Sequence, residues 1–254
     1  ICIVYLSFLL LFTFSLKSQM RQVYTDNTFP INPIQRISFY SPAEGYISAI
    51  DTQNWIAYSS DSGRNFIKKY ITENIINTGN YTVPLPFIQN GVKAFNKDTL
   101  LVYGSFVFTP AILYSADGGN SFILTYLGSP SNIGNLYDID FPGNGNIGYA
   151  VDGIGVYRSL NKGRTWAQVL SVPGGGLGKI SAPDNNTVFV SSDRESGTTN
   201  KLYKTTNAGL TWQTIQTPAT NYSCTFISST TGVISSVLNQ HHIFYYTSNA
   251  GATW

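Results

Sequence analysis

One octapeptide recurs five times, and it restricts the chain to a repeat architecture. The copies are SSDSGRNF (Ser59, Asp61, Gly63, Phe66), SADGGNSF (Ser115, Asp117, Gly119, Phe122), SLNKGRTW (Ser159, Asn161, Gly163, Trp166), TTNAGLTW (Thr205, Asn207, Gly209, Trp212) and TSNAGATW (Thr247, Asn249, Gly251, Trp254). Average residue usage gives a chance match to the four strictest positions on the order of once in ten thousand starting points. Five matches in 254 residues are therefore not coincidence. The third positions are 61, 117, 161, 207 and 249, so the steps are 56, 44, 46 and 42 residues. A period in the forties means one supersecondary unit per copy.

The octapeptide has a local logic. Strand-like runs precede it (NWIAY, AILYS, GVYRS, KLYKT, IFYYT) and follow it (NFIKKYI, SFILTYL, TWAQVL, TWQTIQT). It is therefore a hairpin turn. Asp or Asn at the third position accepts bonds from backbone N–H groups further on. Gly at the fifth position supplies positive φ. The closing Phe or Trp starts the next strand with a large apolar side chain to bury.

These residues resemble the Asp-box, or BNR repeat, of β-propellers. Sialidases, sortilin-type receptors, xyloglucan-degrading glycosidases and photosystem II assembly factors carry such boxes. The resemblance covers roughly Pro33 to Trp254. It implies an all-β propeller of four-stranded antiparallel blades, about five present and the last incomplete. It places each box structurally, between the third and fourth strands of a blade. Three copies carry Asn for Asp, and the amide oxygen still accepts the turn's hydrogen bonds.

A second repeat supports the blades. FYSPAEGYISA (Phe39 to Ala49) matches FPGNGNIGYAV (Phe141 to Val151), a first strand, turn and second strand. Blades then run from Arg36 to Ile71, Pro86 to Leu127, Asn135 to Leu170, Leu177 to Thr217, and from Tyr222 onward. The long first step reflects an insertion, Thr72 to Leu85, read as a loop on one rim. Residues 1–19 read as a signal peptide shortened at its start. They form an uncharged apolar stretch, shorter than the roughly twenty residues of a membrane span, followed by Lys17 and small Ser18. Residues 20–35 read as a lead-in and 36–254 as the propeller. The missing fourth strand after Trp254 reads as a piece of a longer product. The localisation expected is secreted or cell-surface, with no stable membrane span in the mature chain.

Composition narrows function. Charged residues make up 11% of the chain, well under the usual quarter. The net charge of +2 falls to +1 without Lys17. No basic field exists to hold nucleic acid. Cys224 is the only cysteine of the mature chain, expected as a buried, inert thiol. A sialidase-like site implies an arginine cluster, a Tyr–Glu pair and an acid. Arg64 and Arg164 lie inside boxes, and the glutamates are only Glu44, Glu73 and Glu195. A glycosidase of the xyloglucan-degrading kind needs two spaced carboxylates. Asp138 and Asp140 in LYDIDF are the weak catalytic candidates, sharing one face of a first strand. Strand-end capping and contact with solvent is the plainer reading of both. Asp51 and Asp152 are weaker candidates still. Adjacent His241 and His242 would point to opposite faces, so no metal set is expected, nor any cofactor. The reading is a non-catalytic binding module that presents rim loops, Thr72 to Leu85 and Ser191 to Asn200, to a protein or glycan. The alternatives are a secreted glycoside hydrolase and an envelope or photosystem assembly factor-like propeller.

Overall fold

The computed structural model describes residues 34–50, 54–71, 75–76, 87–128, 133–192, 200–238 and 241–254. The leader, most of the 72–85 segment, Asp51, and 193–199 of the second candidate loop lie outside them.

Blade 1 consists of β1 (Ile34–Phe39), β2 (Gly45–Ile50), β3 (Asn54–Ser59) and β4 (Ile67–Tyr70). Blade 2 consists of β6 (Phe87–Ala94), β7 (Leu100–Phe106), β8 (Thr109–Ser115) and β9 (Phe122–Tyr126). Blade 3 is β10 (Asp138–Asp140), β11 (Gly148–Val151), β12 (Gly155–Ser159) and β13 (Ala167–Ser171). Blade 4 is β14 (Leu177–Ser181), β15 (Val188–Ser192), β16 (Lys201–Thr205) and β17 (Gln213–Gln216). Blade 5 is the three-stranded β18 (Asn221–Phe226), β19 (Gly232–Leu238) and β20 (His241–Thr247). Every blade is an antiparallel meander in chain order. The one addition corrects the loop reading of the insertion. Ile75–Ile76 forms β5, which runs parallel to β9 and makes blade 2 five-stranded. A single short 3-10 turn, Pro142–Asn144, interrupts this all-β pattern. No described helix is long and apolar enough to cross a membrane.

The core lies between blades. Tyr46 and Ile56 of blade 1 pack on Phe87, Val92, Leu100 and Leu113 of blade 2. Equivalent clusters join blades 2 to 3, 3 to 4 and 4 to 5. Central strands that lie between two such clusters are therefore covered on both faces. β7 and β8 are buried along their whole length, which is why they read as near-continuous apolar runs. Each such large side chain contributes roughly 1.5–3 kcal/mol.

The meander assigns the turns to two faces. One rim carries the turns between first and second strands, and the box turns between third and fourth. The opposite rim carries the second-to-third turns, the connections between blades and the starts of the first strands.

The box rim repeats one set of contacts five times. The opening hydroxyl accepts from the glycine N–H: Ser59 from Gly63 at 2.9 Å, Ser115 from Gly119 at 2.8 Å, Ser159 from Gly163 at 2.8 Å, Thr205 from Gly209 at 3.0 Å and Thr247 from Gly251 at 2.9 Å. The fourth-position N–H crosses to a carbonyl in the first turn of the same blade. Ser62 donates to Ala43, Gly118 to Asp98, Lys162 to Asn146, Ala208 to Asn186 and Ala250 to Thr230, all at 2.7–2.9 Å. That fourth residue also has positive φ, which the sequence pattern did not reveal. The fifth-position glycines face the preceding blade: a Cβ on Gly163 would lie 2.5 Å from Leu101, and one on Gly209 2.8 Å from Val169. Of the closing aromatics only Phe122 is fully buried. Phe66, Trp166, Trp212 and Trp254 are half-buried at the edge of their clusters.

The Phe…Gly-Tyr repeat also has a contact to explain it. A Cβ at Gly45, Gly148 or Gly232 would collide with the ring of Phe39, Phe141 or Phe226. The tyrosines reach the next blade: Tyr46 donates to the Lys97 carbonyl and Tyr149 to the Asn185 carbonyl, both at 2.6 Å.

Candidate binding site at the axial mouth

First strands run side by side around the axis, and short acceptors connect them. Ser38 accepts from the Ala94 N–H at 2.9 Å, and Ser181 from the Phe226 N–H at 2.9 Å. Between them, Asp138 accepts from the Ile180 N–H at 3.4 Å and Asp140 from the Ala182 N–H at 2.8 Å. Each acceptor satisfies an edge N–H of the next inner strand, a group that is costly to leave unpaired when buried.

The two carboxylates sit among these acceptors. Asp138 and Asp140 do share one face of β10, but that face looks at β14. The Asp138 side chain is only 13% exposed, paired with the Arg36 guanidinium and 3.9 Å from the Lys179 ammonium. Burial pushes its carboxyl above the ordinary range, against the pull of Lys179, Arg36 and the backbone N–H groups. Burial likewise raises Asp140, opposed by the Ala182 N–H and Lys93. Arg36 also donates to the Tyr103 hydroxyl at 2.9 Å. Blades 1, 2, 3 and 4 thus meet in one charged cluster.

Directly at this cluster is a pocket of about 430 Å³ lined by Gln35, Arg36, Asn90, Asn135, Tyr137 and Lys179, with Gly178. These residues come from the starts of the first strands of four blades, on the rim opposite the boxes. Cations, amides and one tyrosine make up the polar lining, and no carboxylate is part of it. Asn90 donates to the Leu136 carbonyl at 2.7 Å, which fixes the connection into blade 3. The Asn135 Oδ1 is buried without a hydrogen-bond partner.

The remaining sequence candidates fall elsewhere. Asp152 accepts from the N–H groups of Ile154 and Gly155 and from the Tyr157 hydroxyl, a closed turn. Arg164 donates to the Tyr114 hydroxyl at 3.0 Å, at the box rim. Glu44 accepts from the Tyr58 hydroxyl at 2.6 Å. His241 and His242 are exposed on β20. Cys224 is buried, its sulfur 3.7 Å from the Phe189 carbonyl, and burial pushes the thiol up. Among the described residues no three His, Cys, Asp or Glu side chains converge as metal ligands.

Sequence reasoning missed the pocket residues because nothing local marks them. They are single polar side chains near the starts of different first strands, and only the side-by-side array of blades brings them together.

No family profile and no curated protein matches the chain. Solved structures do. A GH74 enzyme of Niastella koreensis superposes with a TM-score of 0.63 at 18% identity, over 87% of this chain and 37% of that one. The fold is that of the Asp-box β-propellers. Such a propeller is shared with YCF48 bound to a D1 peptide, at a TM-score of 0.57 and 14% identity, over 86% of this chain and 64% of that one. It is shared also with a Hadza microbial sialidase, at 0.53 and 15%, over 84% and 51%. The chain thus spans between about a third and two thirds of these propeller proteins. At such identities the likeness is one of fold.

Proposed function

We propose that this propeller is a non-catalytic binding module of the secreted or cell-surface kind, whose partner is engaged on the rim opposite the boxes. In this proposal residues 1–19 are a leader and 36–254 the binding propeller. The observation that carries the reading is the state of the two axial carboxylates. A glycosidase needs an acid and a base free to reach opposite sides of a sugar. Asp138 is instead committed to Arg36, Lys179 and the β14 backbone, and Asp140 to the Ala182 N–H. The pocket at this cluster is lined by Arg36 and Lys179, which keep about a third of their side chains exposed beside Asp138, by amides and by Tyr137. Such groups bind and orient. No carboxylate pair of the kind a glycosidase uses lines the pocket. The structural neighbours include a propeller bound to a peptide and enzymes that act on glycans, so both partner classes enter the test.

The test is a paired assay. The chain is screened for turnover of xyloglucan, β-glucans and sialosides, and for binding of peptides and glycans. Binding without turnover, weakened by Lys179→Gln, is the expected result. Hydrolysis abolished by Asp138→Asn or Asp140→Asn would make the axial mouth an active site and end this reading.

A further inference from the structure

One hairpin on the pocket-side rim breaks the rules of its own turn. β7 and β8 are joined by two residues, with Phe106 paired to Thr109 across the turn. Two-residue hairpin loops with positive φ at both positions call for Asn-Gly or similar pairs. Here the residues are Val107 at φ 50° and Phe108 at φ 63°. For a β-branched or bulky side chain positive φ is a genuine outlier. The other described non-glycine residues with positive φ are Ser, Lys, Ala and Asn. Nor is the strain repaid by burial. Phe108 is 66% exposed and Val107 47%.

The tip does not stand alone. The Gly134 N–H donates to the Phe108 carbonyl at 2.7 Å, which sets Ile133, 88% exposed, beside it. Ile88 is exposed on the neighbouring strand β6. Ile88 lies two positions before Asn90, and Ile133 two before Asn135, and both asparagines line the pocket. An apolar knob therefore adjoins a mouth that presents Arg36 and Lys179. Strained, sparsely allowed backbone persists where function holds it, and a compact exposed apolar patch marks an interaction surface.

We propose that the Val107–Phe108 tip, with Ile133 and Ile88, is the apolar anchor of a protein-docking surface. Its occupant is a peptide segment that places an aliphatic or aromatic side chain against the tip and an adjacent acidic side chain over Arg36 and Lys179. The proposal rests on the binding-module reading and specifies its partner. Two cations against the single Asp138 carboxylate leave net positive charge at the mouth, which selects the acid, and the tip supplies apolar contact of the kind that dominates interface affinity once desolvated.

The experiment replaces the strained pair by the residues the turn prefers, Val107→Asn with Phe108→Gly, in the same chain. The probes are acetyl-Leu-Asp-Leu-Leu-amide, its Asn and Ser-for-Leu analogues, and vesicles of neutral and of anionic phospholipid. The expected result is a higher melting temperature together with at least about tenfold weaker binding of the acidic peptide. Ile133→Ser should weaken binding in the same direction. Lys179→Gln should reduce the acidic peptide to the affinity of its Asn analogue. Unchanged affinity in the Asn-Gly variant overturns the anchor, and if Lys179→Gln still weakens binding, the binding-module reading survives it. A lower melting temperature shows that the tip is not strained and removes the argument. Vesicle binding lost with Phe108 would assign the tip to a lipid surface instead, and failure of every peptide to bind the parent chain would also overturn it. Glycan turnover dependent on Asp138 would remove the reading beneath both.

Discussion

The two rims of this propeller solve opposite problems. On the box rim five turns of different sequence converge on one hydrogen-bond scheme, and the groups in it bond to each other or to the adjacent turn. On the pocket-side rim the five blades diverge. There different polar residues stand near the starts of the first strands, one turn is strained and apolar, and an acceptor at Asn135 is unmatched. Repetition marks what the fold needs of every blade. Divergence on a rigid frame marks what a partner reads, since binding residues sit disproportionately on connections held by a scaffold.

The comparison breaks first if the boxes are not structural. Gly163→Ala and Gly209→Ala combine a positive-φ penalty with overlap onto Leu101 or Val169. Each is expected to destabilise by about 2–4 kcal/mol, measured as a shift of the denaturant midpoint. Folded protein that remains should bind as before, because the change lies on the other rim. Trp166→Ala comes next. The ring is half-buried and donates to the Gly163 carbonyl at 2.9 Å, so about 2 kcal/mol is expected, less than for full burial. A midpoint unchanged by either class would show that the box rim does not carry the fold.

The axial acceptors sharpen the contrast between fold and function. Asp140→Ala leaves the Ala182 N–H unpaired and should destabilise by about 1–3 kcal/mol. Asp140→Asn keeps an acceptor and removes a charge whose burial is unfavourable. A carboxyl raised in the folded state binds protons more tightly there than when unfolded. Its contribution to stability therefore falls as pH rises through the folded value, and Asn abolishes that fall. Thermal melts of the two variants near neutral pH check this: Asn at or above the parent, Ala below it.

The smallest effect separates blades 1 and 2 from blades 3, 4 and 5. Asp61 accepts from the Asn65 and Arg64 N–H groups, and these bonds with the Asn65 side chain hold its carboxyl at about 2. In Asp117 burial raises the carboxyl, but the bonds from Ser121, Ser115 and Asn120 outweigh it and the net shift is downward. A lowered carboxyl stabilises above its unfolded value and loses that contribution as pH falls through the folded one. Amide protection factors at Asn65 and Ser121, exchange rates corrected for the intrinsic pH dependence, should therefore fall as pH drops from about 4 toward 2. Thr165, Thr211 and Thr253 donate to asparagine oxygens at 2.9 Å, and their exchange should lack that extra step. Parallel behaviour of all five would show that the Asp and Asn boxes do not differ in this way.

Much of the fold was legible because its signal is local. A hydroxyl, an Asx, a glycine and an aromatic at fixed spacing build one turn, and the spacing between turns gives the blade. A third Phe…Gly copy, Phe226 to Gly232, is equally readable. The axial acceptors were half legible: Ser38 and Asp140 each precede the phenylalanine of that repeat, and Ser181 stands one place before Ala182. Alternation puts Asp138 and Asp140 on one face, but only the placement of the other blades brings that face to the β14 backbone and, at Asp138, to Arg36 of blade 1. The pocket was illegible for the same reason. The Val107–Phe108 turn was hidden more completely, because SFVFTPAI reads as one apolar run with no turn residue at the point where the chain reverses.

Amide NMR mapping tests the division between the rims most directly. The acidic aliphatic peptide is titrated into the isotopically labelled chain, and the shifted resonances are assigned. The account predicts saturable shifts at Gln35, Arg36, Asn90, Phe108, Asn135, Tyr137 and Lys179, with the N–H groups of Ser62, Gly118, Lys162, Ala208 and Ala250 unmoved. Shifts centred on those five box amides would contradict it.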